Sequence, residues 1–189
     1  MDEHQLAFKM KDFGLGLRRK TVEIAPYNWA WASAFDWLAQ KIELQLRQRG
    51  GYKIEHIGST SVPGMTAKPI LDVLLIFESD MAVNSVIPLL EQLGFVYKGD
   101  AISQVQQTES DPGRHFFALY DLEGKIDYAH LHLFAEDHPE WEQKVYFRDA
   151  LRKNPTLAQK YIQLKQDLMN ANSTRLEYTL GKDAFINSL

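Results

Sequence analysis

Residues 56–69, HIGSTSVPGMTAKP, place a glycine and three consecutive hydroxyls between two strand-like runs. Gly58 allows a tight turn and lets another group approach the backbone without a Cβ in the way. Ser59, Thr60 and Ser61 set hydroxyls beside consecutive backbone N–H groups, a concavity suited to phosphate oxygens. Lys68 adds a positive charge at the far lip, and Pro63 and Pro69 stiffen the ends. The plainer alternative is a tight strand–strand connection whose Ser and Thr side chains bond their own backbone.

The run that follows, ILDVLLIF, carries one carboxylate in an otherwise apolar strand. Alternation puts Ile70, Asp72, Leu74 and Ile76 on one face. A carboxylate there is costly to desolvate unless it is paired or binds a cation. Its partner would be a metal, Lys68, an arginine or backbone N–H groups. In AHLHLF, His130 and His132 lie two residues apart and so share a strand face. With Asp72 they would make a site for magnesium, manganese or zinc if the two strands are neighbours. They would equally serve as a base and an electrophile beside a phosphate. A core histidine and an edge histidine are the structural alternative.

Arg114, Arg148, Arg152 and Lys182 are basic residues available to a phosphate-facing rim. Tyr178 lies one helical turn before Lys182. Singly, each basic residue also reads as a surface or ion-paired side chain.

The elements that must position these groups follow from patterning. TVEIA (21–25) reads as a short strand. Asn28 caps a helix over 29–49, whose apolar positions Trp31, Phe35, Leu38, Ile42 and Leu46 recur at steps of four and three. Trp29, Trp31, Phe35 and Trp37 resemble a stacking box but fit the packed face of that helix. Gly50-Gly51 ends it. YKIEHI is a strand, and ILDVLLIF is apolar enough to be central in a sheet. A helix runs from Ser79 to Gly94, with Pro88 kinking it or marking its start. FVYK is a strand, and residues 99–113 form a polar loop with the composition of a mobile one. RHFFALYD and KIDYAHLHLF flank the turn LEG as an antiparallel hairpin. From Pro139 onward three helices follow.

The whole chain bounds the function. Its 189 residues, 45% hydrophobic and 24% charged, suit one globular domain (1–189), with an N-terminal extension (1–14) and a helical C-terminal subregion (138–189). Net charge −4 argues against a general nucleic-acid binder, so no nucleic-acid partner is expected. The lack of cysteine excludes disulfides and thiolate–zinc sites. No apolar run approaches the ~20 residues that span a bilayer. No signal-type segment opens the chain, so no membrane association and a cytoplasmic location are expected.

VEIAPYNWAWASAFDWLAQKI, IEHIGSTSVPGMTAKPILDVLLIF, HLHLF, YFRDALRKNP and YTLGKDAFI occur in the order seen in the GrpB (UPF0157) family. The resemblance runs from about Leu15 to the C-terminus. That family in turn resembles the polymerase-β-like nucleotidyltransferases. The resemblance implies an α+β fold: a mixed sheet with flanking helices and a helical C-terminal part. It implies a Gly-Ser turn, matched by Gly58 and Ser59, and a first carboxylate, matched by Asp72. Leu74 stands where a second carboxylate is expected, and His130 and His132 fall roughly where the third would lie. Two readings result. One is a metal-dependent nucleotidyl or phosphoryl transferase acting on an unknown acceptor. The other is a protein that binds a nucleotide or other phosphorylated small molecule at a degenerate metal site. A third, an accessory protein acting through its C-terminal helices, leaves Asp72 and the hydroxyl turn without a role.

Overall fold

A mixed sheet carries the molecule. The computed structural model describes residues 3–100, 109–171 and 174–188. Its strands are β1 (Leu17–Arg18), β2 (Tyr52–Ile57), β3 (Leu71–Phe77), β4 (Phe95–Tyr97), β5 (His115–Tyr120) and β6 (Ile126–Ala135). The order is β2-β3-β6-β5-β4, with β1 pairing the start of β6. β3 and β6 are parallel, and the other pairs are antiparallel. The helices are α1 (Glu3–Asp12), α2 (Ala30–Gln45), α3 (Asp80–Glu91), α4 (Glu140–Lys153), α5 (Pro155–Asn170) and α6 (Arg175–Ile186). The α+β architecture expected from the sequence, with a mixed sheet and a helical C-terminal part, is therefore present.

Strand alternation divides the sheet into two unlike faces. Leu71, Val73, Leu75 and Phe77 of β3 join Leu131 and Leu133 of β6 in the main core, under α1, α2 and α3. The other face of β3 carries Asp72, Leu74 and Ile76. Leu74 and Ile76 form a smaller cluster with Ile57 and Phe134, against Trp141 and Val145 of α4. A third cluster joins Val62 and Met65 of the turn segment to Leu151 and Tyr161 of α4 and α5. The C-terminal helices thus lie over the face that bears Asp72.

Local signals explain the element ends. The Asn28 Oδ1 accepts the Ala30 N–H at 2.9 Å. Ser79 caps α3 by accepting from Ala82 N–H. Pro88 sits inside α3 near its end and does not start it. Asn154 caps α5, and Thr174 with Glu177 makes a capping box on α6.

Two expectations change, and the extension gains a structure. No strand forms over 21–25: only Ala25 pairs, with Ala67, because no neighbouring strand offers its edge there. The first long helix ends at Gln45 rather than Arg49. The 1–14 extension contains a core helix: Leu6 and Met10, four residues apart on α1, are fully buried. Of the loop expected over 99–113, residues 101–108 lie outside the described residues.

Candidate functional site

Asp72, His130 and His132 meet on the helix-covered face of the sheet. The parallel register pairs Asp72 with His130 and Leu74 with His132. His130 Nδ1 lies 3.2 Å from Asp72 Oδ1, and His132 Nε2 lies 3.8 Å from the same oxygen. Phe116, paired with His132, packs its ring about equally against both imidazoles, 5.1 and 5.2 Å between centroids. Burial pushes the Asp72 carboxyl up. Hydrogen bonds from His130 and His132 and their charges outweigh it and hold the group well below the usual carboxylate range. Burial, then the charge of Lys144, lowers the His132 imidazole, against the pull of Asp72. The carboxylate has thus found its partners in two histidines and not in Lys68 or an arginine.

Gly58 brings the turn against that carboxylate. Its φ is +70°, a conformation that favours glycine. A Cβ at this position would collide with Asp72 Oδ2 and lie 3.1 Å from its Cγ. Residues Ser59–Ser61 form one 3-10 turn. Its hydroxyls have different tasks. Thr60 Oγ1 bonds His56 Nε2 at 3.0 Å, and Ser61 Oγ donates to the Gly58 carbonyl at 2.6 Å. Ser59 Oγ instead accepts from Lys165 Nζ at 3.2 Å. The backbone alternative read from the sequence therefore holds for Ser61, whereas Thr60 and Ser59 bond the side chains of His56 and Lys165.

His56 holds the turn from the other side of the sheet. It pairs with Val73, on the main-core face, and stacks on Phe35 with centroids 4.8 Å apart. Burial lowers its imidazole to about 4, against the opposing charge of Asp72.

The basic rim is more finely divided than its sequence suggests. Arg148 pairs with Glu55 and Asp149 and donates to the His56 carbonyl at 3.0 Å. Arg152 donates twice to the Ser61 carbonyl, at 3.1 and 2.8 Å. Arg152 thus grips the backbone of the turn, and Arg148 the end of β2 that leads into it. Arg114 pairs with Glu140, as does Lys144, and Arg114 also approaches Asp100 at 3.7 Å. Lys68 and Lys182 both lie over the Tyr178 ring, at 4.3 and 4.9 Å. Burial pushes the Tyr178 hydroxyl up to about 12.

Sequence reasoning missed Lys165, Tyr161 and His56. Tyr161 and Lys165 stand four apart on α5 and so share a helix face, a signal present in the sequence. Alternation along YKIEHI likewise placed His56 on the core side.

Among the described residues, no cluster of three or more His, Asp or Glu side chains is set out to hold a metal ion. Asp72 and the histidines are bonded to one another. A pair of ions fits poorly: Asp72 is the only carboxylate on this stretch of β3, and Leu74 is completely buried in the small cluster.

Sheet, turn and helices together define an α+β protein with a hydroxyl turn, a histidine-paired carboxylate and a buried lysine at one place. Residues 21–189 match the model of the GrpB protein family, and the chain belongs to that family. The UPF0157 protein YqkA of Bacillus subtilis is 32% identical over 171 residues. That match takes in 90% of this chain but only 46% of YqkA, so the chain spans under half of that relative's length. The crystal structure of the conserved protein GrpB from Enterococcus faecalis is similar with a TM-score of 0.73 and 31% identity, covering 88% of this chain and 93% of that one. The Cid1 poly(U) polymerase with MgGTP bound is a distant likeness, 11% identical with a TM-score of 0.48, covering 94% of this chain and 53% of that one.

Proposed function

We propose that this is a nucleotidyltransferase-like protein that binds a nucleotide or other phosphorylated small molecule between the Ser59 turn and the C-terminal helices. The phosphates would lie toward Ser59 and the lysines, and the reacting end toward Asp72, His130 and His132. One observation carries the reading: the hydroxyl turn, packed through Gly58 against Asp72, is bonded at Ser59 by the buried ammonium of Lys165. A hydroxyl and cations beside a carboxylate–imidazole cluster suit a phosphate ester whose leaving group must be stabilised.

Asp72, His130 and His132, bonded to one another, are not set out to hold a divalent ion, so the reading does not rest on one. The chain's own residues have tasks independent of it. Ser59 and Lys165 bind the anion, Phe116 shields the imidazoles from water, and Asp72 fixes the His130 ring through Nδ1, turning Nε2 away from the carboxylate.

A second reading, binding without transfer, is favoured by Leu74. Its burial leaves Asp72 as the one carboxylate for a chemistry that ordinarily uses two ions. Equilibrium dialysis against ATP, GTP, UTP and CTP with manganese, paired with a pyrophosphate-release assay, separates the readings. Saturable binding with release that Asp72→Asn abolishes supports transfer. Binding without release supports the second reading. Absence of saturable binding by all four overturns both.

A further inference from the structure

Lys165 is 1% exposed. Its Nζ donates to Ser59 Oγ at 3.2 Å and to the Thr66 carbonyl, so one ammonium of α5 ties down both ends of the turn segment. Neither acceptor carries charge. The ammonium lies over the Tyr161 ring, 4.8 Å from its centroid. No ion pair joins it to a carboxylate among the described residues, and the charge acting on it is that of Lys182, of like sign. α6 adds Tyr178, buried with the ammonium groups of Lys68 and Lys182 over its ring. The Thr66 Oγ1, on the residue whose carbonyl Lys165 holds, is buried and has no hydrogen-bond partner. A buried ammonium facing neutral acceptors and another cation is unfavourable. An anion placed here removes that cost.

We propose that Lys165, Lys182 and Lys68, with the Ser59 hydroxyl, form a subsite for a chain of two or more phosphoryl groups, and that filling it fastens α5 and α6 onto the turn. This deepens the nucleotide reading above and rests on it. Three cations from three elements, the turn segment, α5 and α6, match the charge of a di- or triphosphate better than that of a single phosphate. Because two of the three stand on the C-terminal helices, the same anion joins helices to turn.

The geometry has a proton-linked consequence. Burial, then Lys182, lowers the Lys165 ammonium to about 7. Tyr161 lies against it and is raised by burial, and Lys182 opposes its charge, while Tyr178, Asp183, whose carboxyl burial pushes up, and the ionised Asp72 act on Tyr161. A bound anion favours the charged lysine. Above pH 7 the complex therefore takes up a proton, and affinity falls as pH rises from 7 to 9.

The test is titration calorimetry on the full chain in EDTA, with inorganic tripolyphosphate, orthophosphate and sulfate, in two buffers of unlike ionisation enthalpy at pH 8. Sulfate does not itself titrate there, so its proton uptake belongs to the protein. Expected are tripolyphosphate binding at least about tenfold tighter than orthophosphate and an uptake approaching one proton with sulfate. Lys165→Met should abolish the uptake, while Lys182→Met weakens binding and keeps it. Protection of α5 and α6 from hydrogen exchange should rise with tripolyphosphate. Equal affinities for tripolyphosphate and orthophosphate, or no proton uptake by wild type, would overturn the subsite, and the wild-type arms decide even if Lys165→Met does not fold. ATP and AMP binding alike, without uptake, would overturn this subsite while leaving the nucleotide reading standing.

Discussion

On the sheet side of the site, Asp72 is held by two imidazoles, 3.2 and 3.8 Å away. On the helical side, Lys165 is held by a hydroxyl and a carbonyl, with Lys182 as its charged neighbour. Lys165 is fully buried and Asp72 only partly, yet it is the carboxylate that the protein itself compensates. The sheet side is thus complete as it stands, whereas the helical side is completed by what binds. Substitutions on the two sides should therefore move stability in opposite directions, and only the helical side should respond strongly to anions.

The largest effect belongs to the joint between them. Gly58→Ala puts a Cβ onto Asp72 Oδ2 at a positive φ. Backbone strain and overpacking together should cost about 3–5 kcal/mol, read from urea midpoints. An unchanged midpoint would mean that the turn does not press on the carboxylate.

Acid should come next, acting through His56 on the sheet side. Its folded imidazole is lowered to about 4, so the unfolded chain binds a proton first as pH falls. Stability is then lost between about pH 6.5 and 4, by about 3 kcal/mol, and His56→Gln should flatten that window. The Lys165 ammonium, lowered to about 7, gives a slope of the same sign in a higher window: stability without ligand rises from pH 7 toward 10.5 as the unfolded chain holds its proton longer. A loss of stability over that upper range in wild type would contradict the uncompensated lysine.

Paired substitutions test the contrast itself. Asp72→Asn should destabilise by about 2 kcal/mol through weakened charged hydrogen bonds. Lys165→Met, which replaces an uncompensated charge with an apolar chain, should raise unliganded stability by about 1 kcal/mol while weakening anion binding. Thermal melts with and without tripolyphosphate would show both signs, and destabilisation by both substitutions would break the comparison.

The sheet side was legible in the sequence for a physical reason. A lone carboxylate in a continuous apolar strand and two histidines at a spacing of two are local patterns, and strand alternation turns them directly into faces. The parallel pairing of β3 with β6 then brings Asp72 to His130. The spacing of Lys165 from Tyr161 separates it from Lys160 on the same helix, but a shared helix face does not by itself bury a lysine. Its burial is decided by where α5 docks, against a turn 106 residues earlier in the chain. Arg148 and Arg152 were recognisable as basic but not as grips on carbonyl oxygens of β2 and the turn, for the same reason. TVEIA shows the converse limit: strand-like residues stay unpaired, apart from Ala25, when no strand edge lies beside them. The spacing of Leu6 and Met10 was a visible helical signal, obscured by the charges around it.

The smallest effect should come from Arg152→Ala. It removes two hydrogen bonds to the Ser61 carbonyl from a partly exposed side chain, a loss of about 1 kcal/mol in stability. Anion affinity should change far less than in Lys165→Met. A drop as large as that of the lysine variant would place Arg152 in the binding site itself.

The most direct measurement is a crystal structure of the chain with a non-hydrolysable nucleoside triphosphate and manganese. The account predicts phosphate oxygens within hydrogen-bond distance of Ser59 Oγ and Lys165 Nζ, with the reacting end of the nucleotide toward Asp72, His130 and His132. A nucleotide seated elsewhere, for instance in the groove between α1 and the β5–β6 turn lined by Phe8, Trp37, Tyr120 and Leu122, would contradict it, with Ser59 and Lys165 still bonded only to each other and to the turn.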